Sequence, residues 1–308
     1  MSTGRGLKYG VIGTGSMGRH HARIIYTLPG VDLVGVADLD EARAKEVAAA
    51  YRALPFTDYQ EMLSEVSALS IASPTETHYE VAQACLNAGK HILVEKPLAK
   101  TAEQGELLVN LAREKGVVLA VGLIERFNPA YQELHKIMRQ ERRILGINIV
   151  RQSPFPERIT DANVIQDMMV HDLDLLLNLI PTDEIEEIKG EGKKVKTKML
   201  DLARASIYFK SGVIAKVEAN RTAEDKARKF IVSTEGGMIE ADLLNKTVYY
   251  RDFVTHIPST HFTKSSDQLT DELLNFIKAI KTSTAPRVTG EDGLRALKLA
   301  EEVEKACS

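Results

Sequence analysis

Cysteine is scarce in this chain of 308 residues. Only Cys85 and Cys307 occur, and neither lies in a C-x-x-C or His/Cys spacing, so a zinc site is not expected and both read as free thiols of a reducing compartment. An excess of one charge is also missing. The 40 Lys and Arg against 43 Asp and Glu leave a formal net charge of -3, which offers no basic footprint for nucleic acid and no attraction to an anionic membrane. Nowhere do 18 apolar residues run together, and Met1, Ser2, Thr3, Gly4, Arg5, Gly6 lead straight into an apolar strand. Neither a membrane-spanning helix nor a signal peptide is therefore expected, and the protein reads as cytoplasmic. Repeats and low-complexity segments do not occur. What remains is an ordinary soluble composition at a length beyond one domain, so two domains are expected, each with a full core.

The first 122 residues carry the clearest pattern. Leu7 to Ile12 is a short apolar strand, and it runs into Gly13, Thr14, Gly15, Ser16, Met17, Gly18 before a helical pattern from Arg19 to Thr27. This is G-x-G-x-x-G between a strand and a helix, the setting in which it is informative. Gly13 would allow the tight turn, Gly15 the approach of a pyrophosphate, and Gly18 close helix–strand packing, with Ser16 and Met17 offering amides at the helix N-terminus. A second strand, Asp32 to Ala37, ends in Asp38, twenty residues past Gly18. A carboxylate there would accept hydrogen bonds from the ribose hydroxyls of an adenosine and repel a 2′-phosphate, so NAD is preferred over NADP, although Arg43 could reach a phosphate. His20 and His21 point about 100° apart on a helix and cannot share a metal, so they read as cap or packing residues.

Helices at Glu41 to Tyr51, Thr77 to Ala88 and Thr101 to Lys115 alternate with strands at Ala68 to Ala72, His91 to Val94 and Val117 to Val121. Such alternation predicts an α/β domain with a doubly wound parallel sheet and a ligand at the carboxyl ends of its strands. Two of those ends carry chemistry. One is Ser73, Pro74, Thr75, where hydroxyls and free backbone could meet the nicotinamide half of a cofactor. The other is Glu95, Lys96, Pro97, where proline confines Lys96 to extended geometry and makes it a charge clamp, a catalytic group, or half of a surface pair with Glu95.

A third stretch stands apart. From Gln166 to Leu177 apolar side chains run almost all the way round a helix, which marks a buried element. Asp167, His171 and Asp174 follow at i, i+4 and i+7, within about 60° of one another. Such a stripe should face a polar cleft, a ligand, or its own members in an internal Asp–His pair.

The glycine fingerprint, Asp38, S-P-T with His78 four residues beyond Pro74, Glu95-Lys96-Pro97 and D-x-x-x-H-D-x-D at Asp167 to Asp174 occur in this order over the whole chain. Together they resemble the Gfo/Idh/MocA family, the glucose-fructose oxidoreductase and inositol dehydrogenase group. The resemblance implies a Rossmann domain over 1–122, then over 123–308 an α+β domain with an open, largely antiparallel sheet that also serves oligomerisation. It implies NAD(P)-dependent oxidation or reduction of sugars or cyclitols by a homodimer or homotetramer. Lys96, Asp167 and His171 match the family's catalytic lysine, aspartate and histidine; Glu95 matches a residue that contacts the cofactor. A glycine pair that precedes the aspartate in many members is replaced by Asn163, Val164, Ile165, Gln166.

Beyond Gly122, Arg126 and Asn128 would overhang the cleft. Strand-like runs at Leu145 to Gln152, Ala203 to Lys210, Val213 to Ala219, Phe230 to Thr234, Met238 to Leu243 and Thr247 to Arg251 are separated by turns that predict antiparallel meanders. Asn163 and Gln166 have capping-box spacing. Two helices, Asp267 to Lys281 and one capped by Thr289, close the chain. The segments Arg126 to Pro129 and Ser153 to Pro156 resemble those of members acting on nucleotide sugars, so a nucleotide sugar such as UDP-N-acetylglucosamine, oxidised at C3, is the substrate expected. Arg126, Arg151, Arg158 and Arg221 could supply cations for a diphosphate or carboxylate, or be solvated or paired within the fold. A free sugar or inositol, or glycosidase chemistry through transient oxidation, stands as the alternative.

Overall fold

The computed structural model describes residues 6–138, 143–155, 162–263 and 266–308, Phe262 by its backbone alone. The chain divides into two compact units, Met1–Leu123 with Leu269–Leu294, and Ile124–Gln268 with Arg295–Ser308.

In the first unit strands and helices alternate as β1 (Leu7–Ile12), α1 (Ser16–Thr27), β2 (Val31–Ala37), α2 (Glu41–Tyr51), β3 (Leu54–Phe56), α3 (Tyr59–Leu63), β4 (Ala68–Ile71), α4 (Thr75–Asn87), β5 (His91–Glu95), α5 (Ala102–Lys115) and β6 (Leu119–Gly122). The six strands are parallel in the order β3-β2-β1-β4-β5-β6. Tyr9, Val11, Leu69, Ile71, Ile92, Leu93 and Val94 are fully buried. That continuous apolar run is what a sheet covered on both faces requires. Helix ends follow local chemistry: the Thr101 hydroxyl accepts from Gln104 N, and Gly116 in the left-handed region (φ 65°) closes α5. Burial pushes the Cys85 thiol up to about 12, so it behaves as a packing residue.

The second unit holds α6 (Pro129–Met138), β7 (Ile144–Gln152), α7 (Val170–Leu179), β8 (Ile185–Lys193), β9 (Leu202–Phe209), β10 (Ile214–Asn220), β11 (Ala227–Thr234), β12 (Gly237–Asp242), β13 (Thr247–Asp252) and β14 (Pro258–Phe262). Its eight strands run in the order β14-β13-β12-β11-β7-β10-β9-β8, antiparallel except for the β7–β10 pair. Ala203, Ala205, Ile207 and Phe209 of β9 and Ala215, Val217 and Ala219 of β10 alternate inward, the period-two signature of a sheet with one packed face. No helix among the described residues is long and apolar enough to cross a membrane.

The chain divides after Leu123, and residues 269–294 cluster with the first unit. The reason is packing. Helix α8 (Gln268–Thr282) buries Leu269, Leu273, Phe276 and Ile277, with the Phe276 ring edge-on to Tyr9 at 6.3 Å. The first turn of α9 (Gly290–Cys307) sits against the sheet, where a Cβ on Gly293 would meet Val121 at 2.5 Å.

Three strands were not expected from sequence: β3, β8 and β14. All three are edge strands, and β8 (IEEIKGEGK) carries the charges and glycines that keep a free edge from pairing with other chains.

Candidate functional site

The glycine turn is shaped for a ligand. Gly13 lies at φ +84°, where a Cβ would strike the Ala72 backbone at 2.6 Å, and a Cβ on Gly18 would meet Gly13 O at 1.7 Å. A Cβ on Gly15, by contrast, would meet nothing within 4 Å, so the open space lies where a pyrophosphate would approach the helix N-terminus. Ser16 and Met17 are exposed beside it. Asp38 closes the turn: Thr14 donates to its Oδ2 through N at 2.8 Å and Oγ1 at 2.9 Å, and Asp40 N donates to Oδ1 at 3.0 Å. Burial tends to raise its carboxyl, but the hydrogen bonds from Asp40 and Thr14, with Arg43 behind them, outweigh this and hold it below the usual range. Arg43 is 3.1 Å from Asp40 and 3.9 Å from Asp38.

The strand-end loops after β4 and β5 are tied together by His78. Its Nδ1 lies 2.7 Å from Pro97 O and its Nε2 2.9 Å from Ser73 O. Thr77 Oγ1 donates to Ser73 Oγ at 2.8 Å, and Thr75 begins α4 directly after Pro74. Burial disfavours charge on His78 and lowers its pKa, although the two carbonyls pull the other way. Lys96 precedes a cis peptide bond to Pro97 and is half-buried.

His21, expected as a cap or packing residue, is fully buried in a polar cluster. Its Nδ1 is 2.8 Å from Ser70 Oγ and its Nε2 2.9 Å from Glu95 Oε1. Ser70 Oγ is in turn 2.7 Å from Tyr9 Oη. Gly122 makes room for Glu95, whose Oε2 would lie 2.9 Å from a Cβ there. Glu272 of α8 belongs to the same cluster. Its sequence signal is its spacing: it sits at i+3 from Leu269 and i−4 from Phe276, a carboxyl on the apolar face of a helix.

In the second unit the central stretch does not start as an α-helix. Ile165–Met169 form a π turn that passes into α7, with Val170 N donating to Ile165 O. Such turns widen the helix and recur at functional sites. Asn163 Oδ1 accepts from Ile165 N and Gln166 N at 2.9 Å and 3.0 Å, whereas the reciprocal arm of the expected capping box is missing because Gln166 Nε2 donates to Glu304. Gln166, Asp167, Met168 and His171 are half-buried where their neighbours Met169, Val170 and Leu173 are buried, so Asp167 and His171 share the more accessible side, one turn apart.

Asp174 departs from the expected stripe. It is 1% exposed and takes Arg126 Nε and Nη2 at 2.7 Å and 2.6 Å. Arg151 likewise grips Asp172 with two bonds of 2.8 Å and reaches Glu125 at 3.0 Å. Burial would lower the Arg151 pKa; Asp172 and Glu125 raise it instead. Arg221, fully buried, pairs with Asp201 at 2.9 Å and Ala162 O at 2.7 Å. Of the two readings of the arginines, pairing within the fold is therefore what Arg126, Arg151 and Arg221 show. Desolvating a guanidinium is tolerable only with its charge matched. Asn128 donates to Glu125 and Leu243 O, both at 2.9 Å, and accepts from Ala130 N. Arg158 lies outside the described residues.

Fold and glycine turn together define a dinucleotide-binding architecture. Residues 7–123 match the description "Oxidoreductase family, NAD-binding Rossmann fold", and residues 144–240 match "GFO/IDH/MocA C-terminal domain". The chain is 34% identical to UDP-N-acetylglucosamine 3-dehydrogenase from Acidithiobacillus ferrooxidans over 97% of each sequence. A solved structure of that protein superposes with a TM-score of 0.92 at 33% identity, covering 98% of both chains. Myo-inositol 2-dehydrogenase from Thermotoga maritima is 26% identical over 97% of this chain and 96% of its own. The chain belongs to the Gfo/Idh/MocA family and is an oxidoreductase acting on CH–OH groups.

Proposed function

We propose that this chain is an NAD-dependent dehydrogenase that oxidises a secondary hydroxyl of a nucleotide sugar, with C3 of UDP-N-acetylglucosamine as the position attacked. The similarity to a UDP-N-acetylglucosamine 3-dehydrogenase, 34% identical over 97% of both sequences, supports the substrate class. Asp38 supports NAD over NADP, because its carboxylate sits at the strand end where a 2′-phosphate would meet like charge. Bound NAD supplies the hydride acceptor. The residues supply the rest. His171, an imidazole whose ordinary pKa lies near neutrality, takes the hydroxyl proton, and Asp167 one turn away orients its ring and favours its charged form. Lys96 stabilises the developing alkoxide as a cation, or takes the proton itself. Gly13, Gly15, Ser16, Met17 and Gly18 would cradle the diphosphate of the cofactor, and Ser73, Pro74, Thr75, His78 and Glu95 would border its nicotinamide half. Arg126 and Asn128 shape the pocket through their buried partners rather than by offering a bare charge. An assembly of two or four copies in the cytoplasm completes the reading.

A cyclitol substrate is the second reading, favoured by the inositol dehydrogenases among the relatives. Incubating the purified protein with NAD and, separately, UDP-N-acetylglucosamine and myo-inositol decides between them. NADH formed with the nucleotide sugar and not with inositol is expected; the reverse would overturn the substrate. The same assay with NADP tests Asp38.

A further inference from the structure

Glu272 is a buried carboxyl for which the reaction has no use. It is 3% exposed, and neither of its oxygens has a hydrogen-bond partner among the described residues. One of them, an oxygen of Glu95 and a ring nitrogen of His21 all lie within 4.8 Å of one another. The neighbouring donors are already used. Tyr9 Oη can donate to Ser70 Oγ, Ser70 to His21 Nδ1, and His21 Nε2–H to Glu95, a line of protons that ends on Glu95 and leaves none for Glu272. Two ionised carboxyls this close in a buried site would repel strongly. A proton on Glu272 removes the repulsion and turns an unpartnered oxygen into a donor.

Glu95 is the member of the pair that reaches the ligand edge. It ends β5 beside Lys96 with its side chain 14% exposed, on the strand next to β4, whose pairing with β1 is where strand order reverses. Open α/β sheets bind ligands at the carboxyl ends beside that reversal. An oxidised nicotinamide is cationic and a reduced one neutral, so charge at Glu95 discriminates between them.

We propose that Glu272 is a positioning residue that holds one proton for the Glu95–Glu272 pair, so that a single negative charge faces the redox ring of the bound dinucleotide. This rests on the NAD-binding reading above. The groups beside the pair are Tyr9 on β1, which feels the Glu272 charge, His21 on α1 and Ser70 on β4, while His78 on α4 feels both Glu95 and Lys96. Burial first, and the charge of Glu95 second, raise the Glu272 carboxyl well above its ordinary value. When it does ionise, the second negative charge should favour NAD over NADH further, on the order of tenfold.

Infrared difference spectra of the cofactor-free protein, wild type minus Glu272→Gln at neutral pH, should show a protonated carboxyl band that shifts in D2O. Its absence would overturn the proposal, as would a stoichiometric divalent metal in the purified protein. In the wild type alone the band should vanish as pH rises, which reads the same proton should the variant not fold. Calorimetric titration with NAD and NADH from about pH 6 to about pH 10 should give an affinity ratio that climbs about tenfold in the wild type and stays flat in Glu272→Gln. A climb retained in the variant would refute the coupling. Failure of both dinucleotides to bind would refute the NAD-dependent function instead, while the infrared band still decides where the proton sits.

Discussion

Each unit buries a group of charges, and the two are solved in opposite ways. In the second unit Arg126 meets Asp174, Arg151 meets Asp172 and Glu125, Arg228 reaches Glu125, and Arg221 meets Asp201. Each of these cations has its carboxylate. In the first unit Glu272 faces Glu95 and His21 without a hydrogen bond of its own among the described residues. A matched network gives a sheet and its helices a defined register, and apolar packing could replace it at little cost. An unmatched carboxyl destabilises the fold. It persists where its proton or charge has a use.

The largest test of this contrast is Arg151→Met. It strands Asp172 and Glu125 without their cation, so urea unfolding should show a loss of about 3–5 kcal/mol; a loss within experimental error would mean that the network is not what holds this region. Next come Lys96→Met and His171→Ala, each expected to lower turnover at least about a hundredfold while leaving NAD affinity within a few-fold. If both serve one step, the double variant loses less than the product of the two.

Glu272→Gln should act in the other direction from Arg151→Met. A carboxyl raised in the folded state contributes fully below its unfolded value near 4.5 and loses that contribution as pH rises through its folded value. The Gln variant should therefore gain on the wild type by up to about 1.4 kcal/mol per pH unit across that window. Equal pH slopes would show that Glu272 ionises as freely folded as unfolded. His78→Gln should give a smaller effect on the acid side. Because burial lowers the His78 pKa, the unfolded chain takes up the proton first and wild-type stability falls as pH drops below about 6.5. Melting curves of the variant should lack that slope.

Much of the fold was legible. Central strands such as β1, β4 and β5 are buried on both faces and announce themselves as apolar runs, while the edge strands β3, β8 and β14 bury little and carry no such signal. Of the candidate site, the geometry of the glycine turn and of Asp38 was readable because it is local: φ, close approach and strand end. The stripe Asp167, His171, Asp174 was readable as a pattern but not as a division of labour. Asp174 and Asp172 went to arginines on other elements, and the π turn at Ile165–Met169 has no spacing signature.

What the sequence determined by itself was therefore whatever depends on a residue and its near neighbours: periodicity, turns, caps, the glycine turn after β1 and the family it marks. Which buried charges are matched was decided only by tertiary structure. Desolvation and pairing energies depend on distances of a few ångströms between residues such as Glu95 and Glu272, or Arg151 and Glu125, that lie far apart along the chain.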